Sequence, residues 1–329
     1  MNARAAWLTP FIALPAFAYS IATAFSSPCH EPLTAEAFQR ARVAFPLERV
    51  PPPPTELERK VAADFAKNFG PADVPKEYWY AQMSLIIGVR APDTGGHSLL
   101  DLDSTRILHT VPTDQYTHAL RGGQDDGPEG NETVAAGVRD TIRALMAQSR
   151  EALSKPLNEQ YITVNYDIDG YGLVDLRVWA PAYYAGRASH AVQDSFSHSF
   201  REEGLHRVVH FFNYADAITP SFNEARDGFR HSGSMDKCGH ETAPLTTAAT
   251  EATTALLLAI DSERALEVML NDWETIAPGC TLENSYCDTA WRELASEDVT
   301  MPYLGCTSAE GLLVGGVLLL LRRRLRSKK

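Results

Sequence analysis

Residues 188–200 read ASHAVQDSFSHSF and place His190, Asp194 and His198 four residues apart. This stretch constrains the fold more than any other, because the spacing has a use only on a helix. An α-helix turns about 100° per residue, so side chains four and eight positions apart fall within roughly 80° of each other. The three groups therefore share one stripe, with Ala191, Val192 and Phe196 around it. A lone His-x3-His pair reads as an ordinary polar face. An aspartate between the two imidazoles turns the stripe into a site for a divalent metal, and N and O ligands in this geometry favour zinc.

The rest of the chain reads as helical too. Apolar residues recur at helical spacing over 34–44, 56–69, 134–153, 182–200, 206–218 and 246–270. Strand-like alternation is confined to Tyr161–Tyr166. Pro51–Pro54 is a short stiff segment between two helices, not a domain linker. The loop RGGQDDGPEG (121–130) lacks the spacing of a calcium-binding loop and reads as a solvated turn. No internal repeat is visible, and 329 residues suffice for one large domain. The expectation is an all-α, single multi-helix domain over residues 25–303.

The two ends differ from the body. Arg4, the apolar run 5–18 and the small-residue triplet Ala22-Thr23-Ala24 have the order of a secretory signal peptide, placed at 1–24. At the other end Leu312–Leu321 is apolar or Gly, and six cationic residues follow it. A cysteine, a short Gly/Leu run and an Arg cluster resemble the myxobacterial C-terminal sorting tag, here 304–329. That resemblance implies transient membrane anchoring, a sorting protease acting near Cys306, and export to the cell surface or, after processing, release.

Formal net charge is −12, and the cationic tail block with Arg4 carries +7, so the remainder is near −19. A surface this acidic repels phosphate backbones, and no stable nucleic-acid partner is expected. An exported chain keeps disulfides. With Cys306 assigned to the tag, four of the five cysteines remain. Cys280 and Cys287, seven apart in a loop-like stretch, form the easiest local pair, which leaves Cys29 with Cys238.

The ten histidines cluster. They lie in CHEPLTAEAF (29–38), in the region from His97 through His109 to His118, in 188–200, in GLHRVVHFFNYAD (204–216) and in HSGSMDKCGH (231–240). They outnumber the needs of one ion. Their settings also carry a resemblance. His-Glu-x-Leu-Thr-x-x-Ala at 30–37, Gly-x-x-Ala-Pro-Asp at 88–93 and Gly-Arg-Ala-Ser-His-Ala-Val-Gln-Asp-Ser-Phe-Ser-His at 186–198 resemble, in this order, the zinc-dependent phospholipase C family, over roughly residues 25–220. The resemblance implies the all-helical fold shared with single-strand-specific nucleases and a centre of two or three Zn2+ ions. It carries ligand roles to His30, Asp93, His190, Asp194 and His198, with His97 or His118 completing a second ion. A further His-x3-acid pair closes the family site. The corresponding stretch here offers His206 and His210 with no acid four residues on. In the family the mature amino terminus is itself a ligand, usually on a Trp; cleavage after Ala24 would put it on Phe25.

These residues predict metal-assisted hydrolysis of a phospholipid or other phosphodiester, with Asp93 as general base. Two rivals stand beside it. A nuclease acting on single strands would stack bases on Tyr183, Tyr184, Phe211, Phe212 or Tyr214. A surface-displayed binding protein would keep the metal for structure alone.

Overall fold

The computed structural model describes residues 29–69, 74–97, 108, 110–127, 129–216, 219, 221–239, 242–284, 287 and 289–297. The expected signal peptide at 1–24, Phe25, His109, Cys306 and the tag at 304–329 lie outside them. In chain order the elements are α1 (His30–Ala41), α2 (Glu56–Phe69), α3 (Trp79–Thr94), α4 (Gly130–Leu153), β1 (Tyr161–Ile168), β2 (Gly172–Trp179), α5 (Ala180–Ser197), β3 (Ser199–Arg201), β4 (Val208–Phe211), α6 (Glu224–Asp227), α7 (Ala243–Leu258), α8 (Glu263–Trp273) and α9 (Trp291–Glu297). A 3-10 helix, Pro112–His118, carries His118.

Helix α5 is central and packs on α3, α4 and α7. It starts where β2 ends, with Pro181 in its first turn, where a missing N–H costs nothing. Its distance from α3 is set by two glycines. A Cβ on Gly88 would lie 2.1 Å from the Tyr183 carbonyl oxygen, and one on Gly186 would lie 2.1 Å from that of Leu85. Only glycine permits so close an approach. The two helices then meet in step. Leu85 faces Gly186, the Val89 carbonyl accepts a bond from His190, and Asp93 comes level with His190 and Asp194.

Neighbouring elements lock this pair. Gly95, at φ +55°, ends α3 in the left-handed conformation and donates to Ala91 O at 2.8 Å. Thr94 bonds the Tyr166 hydroxyl at 2.7 Å and so ties the end of α3 to β1. Glu31 on α1 pairs with Arg90 on α3 at 3.1 Å, which sets His30 beside Asp93. Burial pushes the Glu31 carboxyl above the ordinary range, and Arg90 opposes that shift.

The all-α expectation fails. The described residues form a mixed α/β fold, with two small antiparallel sheets among the helices. β1 pairs with β2 from Tyr161↔Trp179 to Ile168↔Gly172. The sequence pointed to the first strand only. The second runs straight into α5 at Ala180, and its exposed Leu173 blurs the alternation. The expected helix over 206–218 is not formed over its described residues, 206–216. Residues 208–211 form a buried strand against β3, as Val208, Val209 and Phe211 prefer on a pleated surface. The 246–270 pattern is two helices, broken before Ser262, whose hydroxyl caps α8 by accepting from Ala265 N.

Two disulfides, Cys29–Cys238 and Cys280–Cys287, pair the cysteines as the spacing suggested. They fit a chain that folds in an oxidising compartment. Among the described residues no helix is long and apolar enough to cross a membrane.

The α3–α5 crossing yields a stability prediction. Gly186→Ala must push helix backbone against helix backbone, and overpacking of this kind costs about 1–3 kcal/mol. Urea unfolding should show that loss. An unchanged midpoint would mean that the glycine contact does not set the spacing.

Candidate metal centre

Three groups of side chains among the described residues could hold a metal ion: His30, His190 and Asp194; Asp93, His118 and His190; and His198, His231 and Asp236. The first two overlap at His190. Its Nδ1 donates to the Val89 carbonyl at 2.9 Å, which leaves Nε2 as the ligand atom. That nitrogen has one lone pair and serves one ion. The residue able to serve both groups is Asp194. Its Oδ1 lies 3.0 Å from His30 Nε2, and its Oδ2 lies 2.9 Å from His190 Nε2 and 3.3 Å from His118 Nδ1. Asp93 stands opposite, with Oδ1 at 3.6 Å from His190 and 3.7 Å from His118, and Oδ2 at 3.9 Å from His30.

The third group begins where α5 ends. His198 follows the last helical residue, and its N–H closes the turn on Asp194 O. It is therefore the residue after the stripe and not part of it, and its ring turns away. Nδ1 donates to the His118 carbonyl at 2.6 Å, and Nε2 faces Asp236 Oδ1 at 3.1 Å. The other Asp236 oxygen meets His231 Nε2 at 3.1 Å.

The hydrogen bonds behind the ligands fix which nitrogen is presented. His30 donates from Nδ1 to Gln193 Oε1 at 2.7 Å. The Gln193 amide is held the right way round, because its Nε2 donates to the hydroxyls of Thr34 and Thr253. His30, His190 and His198 thus each give one nitrogen to an oxygen acceptor and point the other at a carboxylate. That is how metal-binding imidazoles are commonly oriented.

The electrostatics fit cations. Burial alone would raise the carboxyl of Asp194, but His190, His198 and His30 hold it well below the ordinary range. Asp236 is likewise depressed by His231 and His198 against its burial. Burial would lower His30, yet Asp194 and Asp93 outweigh it and lift the imidazole to about 10. In the metal-free centre the buried carboxylates are balanced by protonated imidazole, His30 above all, and an incoming cation would take the place of that proton.

Not every residue expected at the site is there. His97 is exposed beyond α3 and belongs to none of the three groups, whereas His118 joins Asp93 and His190 in the second. His206 is exposed and stacks on Trp273 with ring centroids 4.4 Å apart. His210 is buried on β4, where its Nε2 accepts the Phe229 N–H at 2.9 Å and its Nδ1 lies 2.9 Å from the Asn131 amide. Burial, then Arg121, pushes its pKa well below the usual value. These two histidines look paired on a helix, but they stand on a turn and a strand. The third group instead contains His231 and Asp236, which the sequence reading did not assign. A loop spacing of five residues hid them from a search for helical pairs. A signal did exist: Cys238, two residues after Asp236, is bonded to Cys29, next to His30.

A pocket of about 40 Å³ opens onto the groups. His30, Asp93, Asp194, His198 and Asp236 line it together with the apolar Leu33, Phe196, Met235, Leu245 and Ala249. The aromatics considered as base platforms are engaged elsewhere. Phe211 and Phe212 are fully buried, Tyr214 packs edge-on to His231, and Tyr183 packs on Tyr184. None lines this pocket. No family model, curated protein or solved structure matches the chain.

The raised pKa of His30 predicts coupling between metal and protons. At neutral pH the metal-free imidazole is protonated, so an incoming ion must displace that proton. Apparent affinity at this position should fall about tenfold for each pH unit below the raised pKa. Calorimetric metal titrations in buffers of different ionisation enthalpy should show net proton release at pH 7. Metal uptake with no proton release would refute the protonated His30–Asp194 pair.

Proposed function

We propose that this chain is an exported, zinc-dependent phosphodiester hydrolase of the phospholipase C type, related to the superfamily that also contains the single-strand-specific nucleases. The observation that carries the reading is Asp194, whose two oxygens face two adjacent ligand groups. Structural zinc sites are closed, four-ligand cages. Here carboxylates are shared between neighbouring groups beside a pocket, as a centre that must hold ions close together and admit a substrate requires. The donor set of imidazoles and carboxylates suits zinc, and two or three ions are expected.

Zinc at these groups would supply Lewis acidity toward a phosphoryl oxygen and acidify a water. The protein's own residues do the rest. Asp93 lines the pocket and stays 9% exposed, so its carboxylate can accept the proton of the attacking water. Val89 O, Gln193 and His118 O hold the imidazoles in place. The apolar residues that line the same pocket suit the hydrocarbon part of a lipid diester. Export through the signal peptide, anchoring by the C-terminal segment and its processing by a sorting protease complete the reading.

The test uses the purified chain from residue 25 to 303. Elemental analysis should find two or three zinc per chain. Bis(4-nitrophenyl) phosphate and phospholipid vesicles should be hydrolysed, and hydrolysis should stop on chelation and return with zinc. Asp93→Asn should lower kcat by about 10²–10⁴-fold, the usual contribution of general acid–base catalysis. A zinc-loaded protein inactive on every diester would leave a metal-stabilised binding protein, and a protein that binds no zinc would remove the centre.

A further inference from the structure

The third ligand group lacks the support that the other two enjoy. His30 stands on α1, which packs on α3 and α7, and His190 and Asp194 stand on α5. His231 and Asp236 lie in turns and bridges between α6 and α7, where the described residues form no helix or strand. Its entry is held by the bridge Asn213↔Arg230 and by the His231 N–H on Asn213 O at 3.0 Å. Five residues further on, Asp236 must meet two histidines at 3.1 Å each. Ser232 and Met235 are buried, and Lys237 O and Gly239 N–H bond the Thr242 hydroxyl at the start of α7, but the covalent constraint is a single one. Cys238 is bonded to Cys29 across 209 residues of sequence.

Both ends of that bond adjoin ligands. Cys29 precedes His30 of the first group, and Cys238 follows Asp236 of the third by two residues. Cys29, Asp236 and His30 all line the same pocket. We infer that the Cys29–Cys238 disulfide is the strut that holds the His198/His231/Asp236 group in binding geometry and fixes its separation from the His30/Asp194 group. Cys29 and Cys238 are positioning residues, since neither offers a ligand atom. The asymmetry of support makes the effect selective. Without the bond, α1 keeps His30 in place through its packing, whereas the 231–239 segment loses its one covalent tie to α1. Occupancy of the third group then depends on an oxidising compartment, and reduction empties it first.

This inference rests on the metal reading above, and the experiment separates the two. Zinc per chain and zinc affinity against a competing chelator are measured for wild type, Cys29→Ser/Cys238→Ser, Asp236→Asn and Cys280→Ser/Cys287→Ser. The cobalt absorption spectrum of each is recorded as a second signature. The Cys29/Cys238 variant should match Asp236→Asn: one ion fewer per chain or about 10–100-fold weaker binding of one ion, as for other groups that orient ligands, and loss of the same cobalt band. The Cys280/Cys287 variant should match wild type. Should the Cys29/Cys238 variant fail to fold, folded zinc-loaded wild type treated with a phosphine reductant serves instead and should lose one ion while keeping its helical circular dichroism. Unchanged zinc content and affinity without the bond, or equal loss from all groups in a folded protein, would overturn the inference. A wild type without zinc would fail the metal reading itself.

Discussion

Asp194 is a carboxylate buried among three imidazoles, and the rest of the structure answers to that burial. It is 3% exposed, and His30, His190 and His118 reach it at 3.0, 2.9 and 3.3 Å. Isolated carboxylates do not survive such burial as ions, because losing water costs several kcal/mol per charge. Here Asp93 adds another carboxylate within 4 Å of the same rings, and Asp236 a third beyond them. Such a concentration of ligand atoms is more than ordinary packing needs. It follows if cations complete the charge balance, and the imidazoles already present the correct nitrogens.

The scaffold serves this demand economically. One helix, α5, supplies His190 and Asp194 to two groups and then ends, so that His198 faces a third. The glycine crossing with α3 lets Asp93 approach without intervening side chains. α1 closes the near side through the Glu31–Arg90 pair. Disulfide-linked loop residues close the far side. The pocket opens where these pieces meet, lined by both the candidate ligand groups and apolar side chains.

Legibility in the sequence followed periodicity. His190 and Asp194 could be read because four-residue spacing on a helix is a local rule, whereas His30 and Asp93 were named only through the resemblance of their motifs. His198 was legible as a ligand candidate, although it sits past the helix and faces another group. The strand β2 was hidden because it passes directly into α5, and β4 because VVHFF, every residue buried, carries no alternation. His206 and His210 misled for the same reason: a spacing of four is a coincidence on a strand. His231 and Asp236 obey no period at all. They were reachable through the expected Cys29–Cys238 pair, which brings 231–240 to His30, an inference across the chain that local pattern does not supply.

The most direct measurement of the central claim is a crystal structure of the zinc-soaked protein with anomalous data collected across the zinc edge. The account predicts separate peaks, one of them within about 2.0–2.2 Å of both a His30 or His190 nitrogen and an Asp194 oxygen, and one at the same range from His198, His231 and Asp236. Anomalous maps without peaks at these groups, with each imidazole still hydrogen-bonded to its carboxylate, would contradict it.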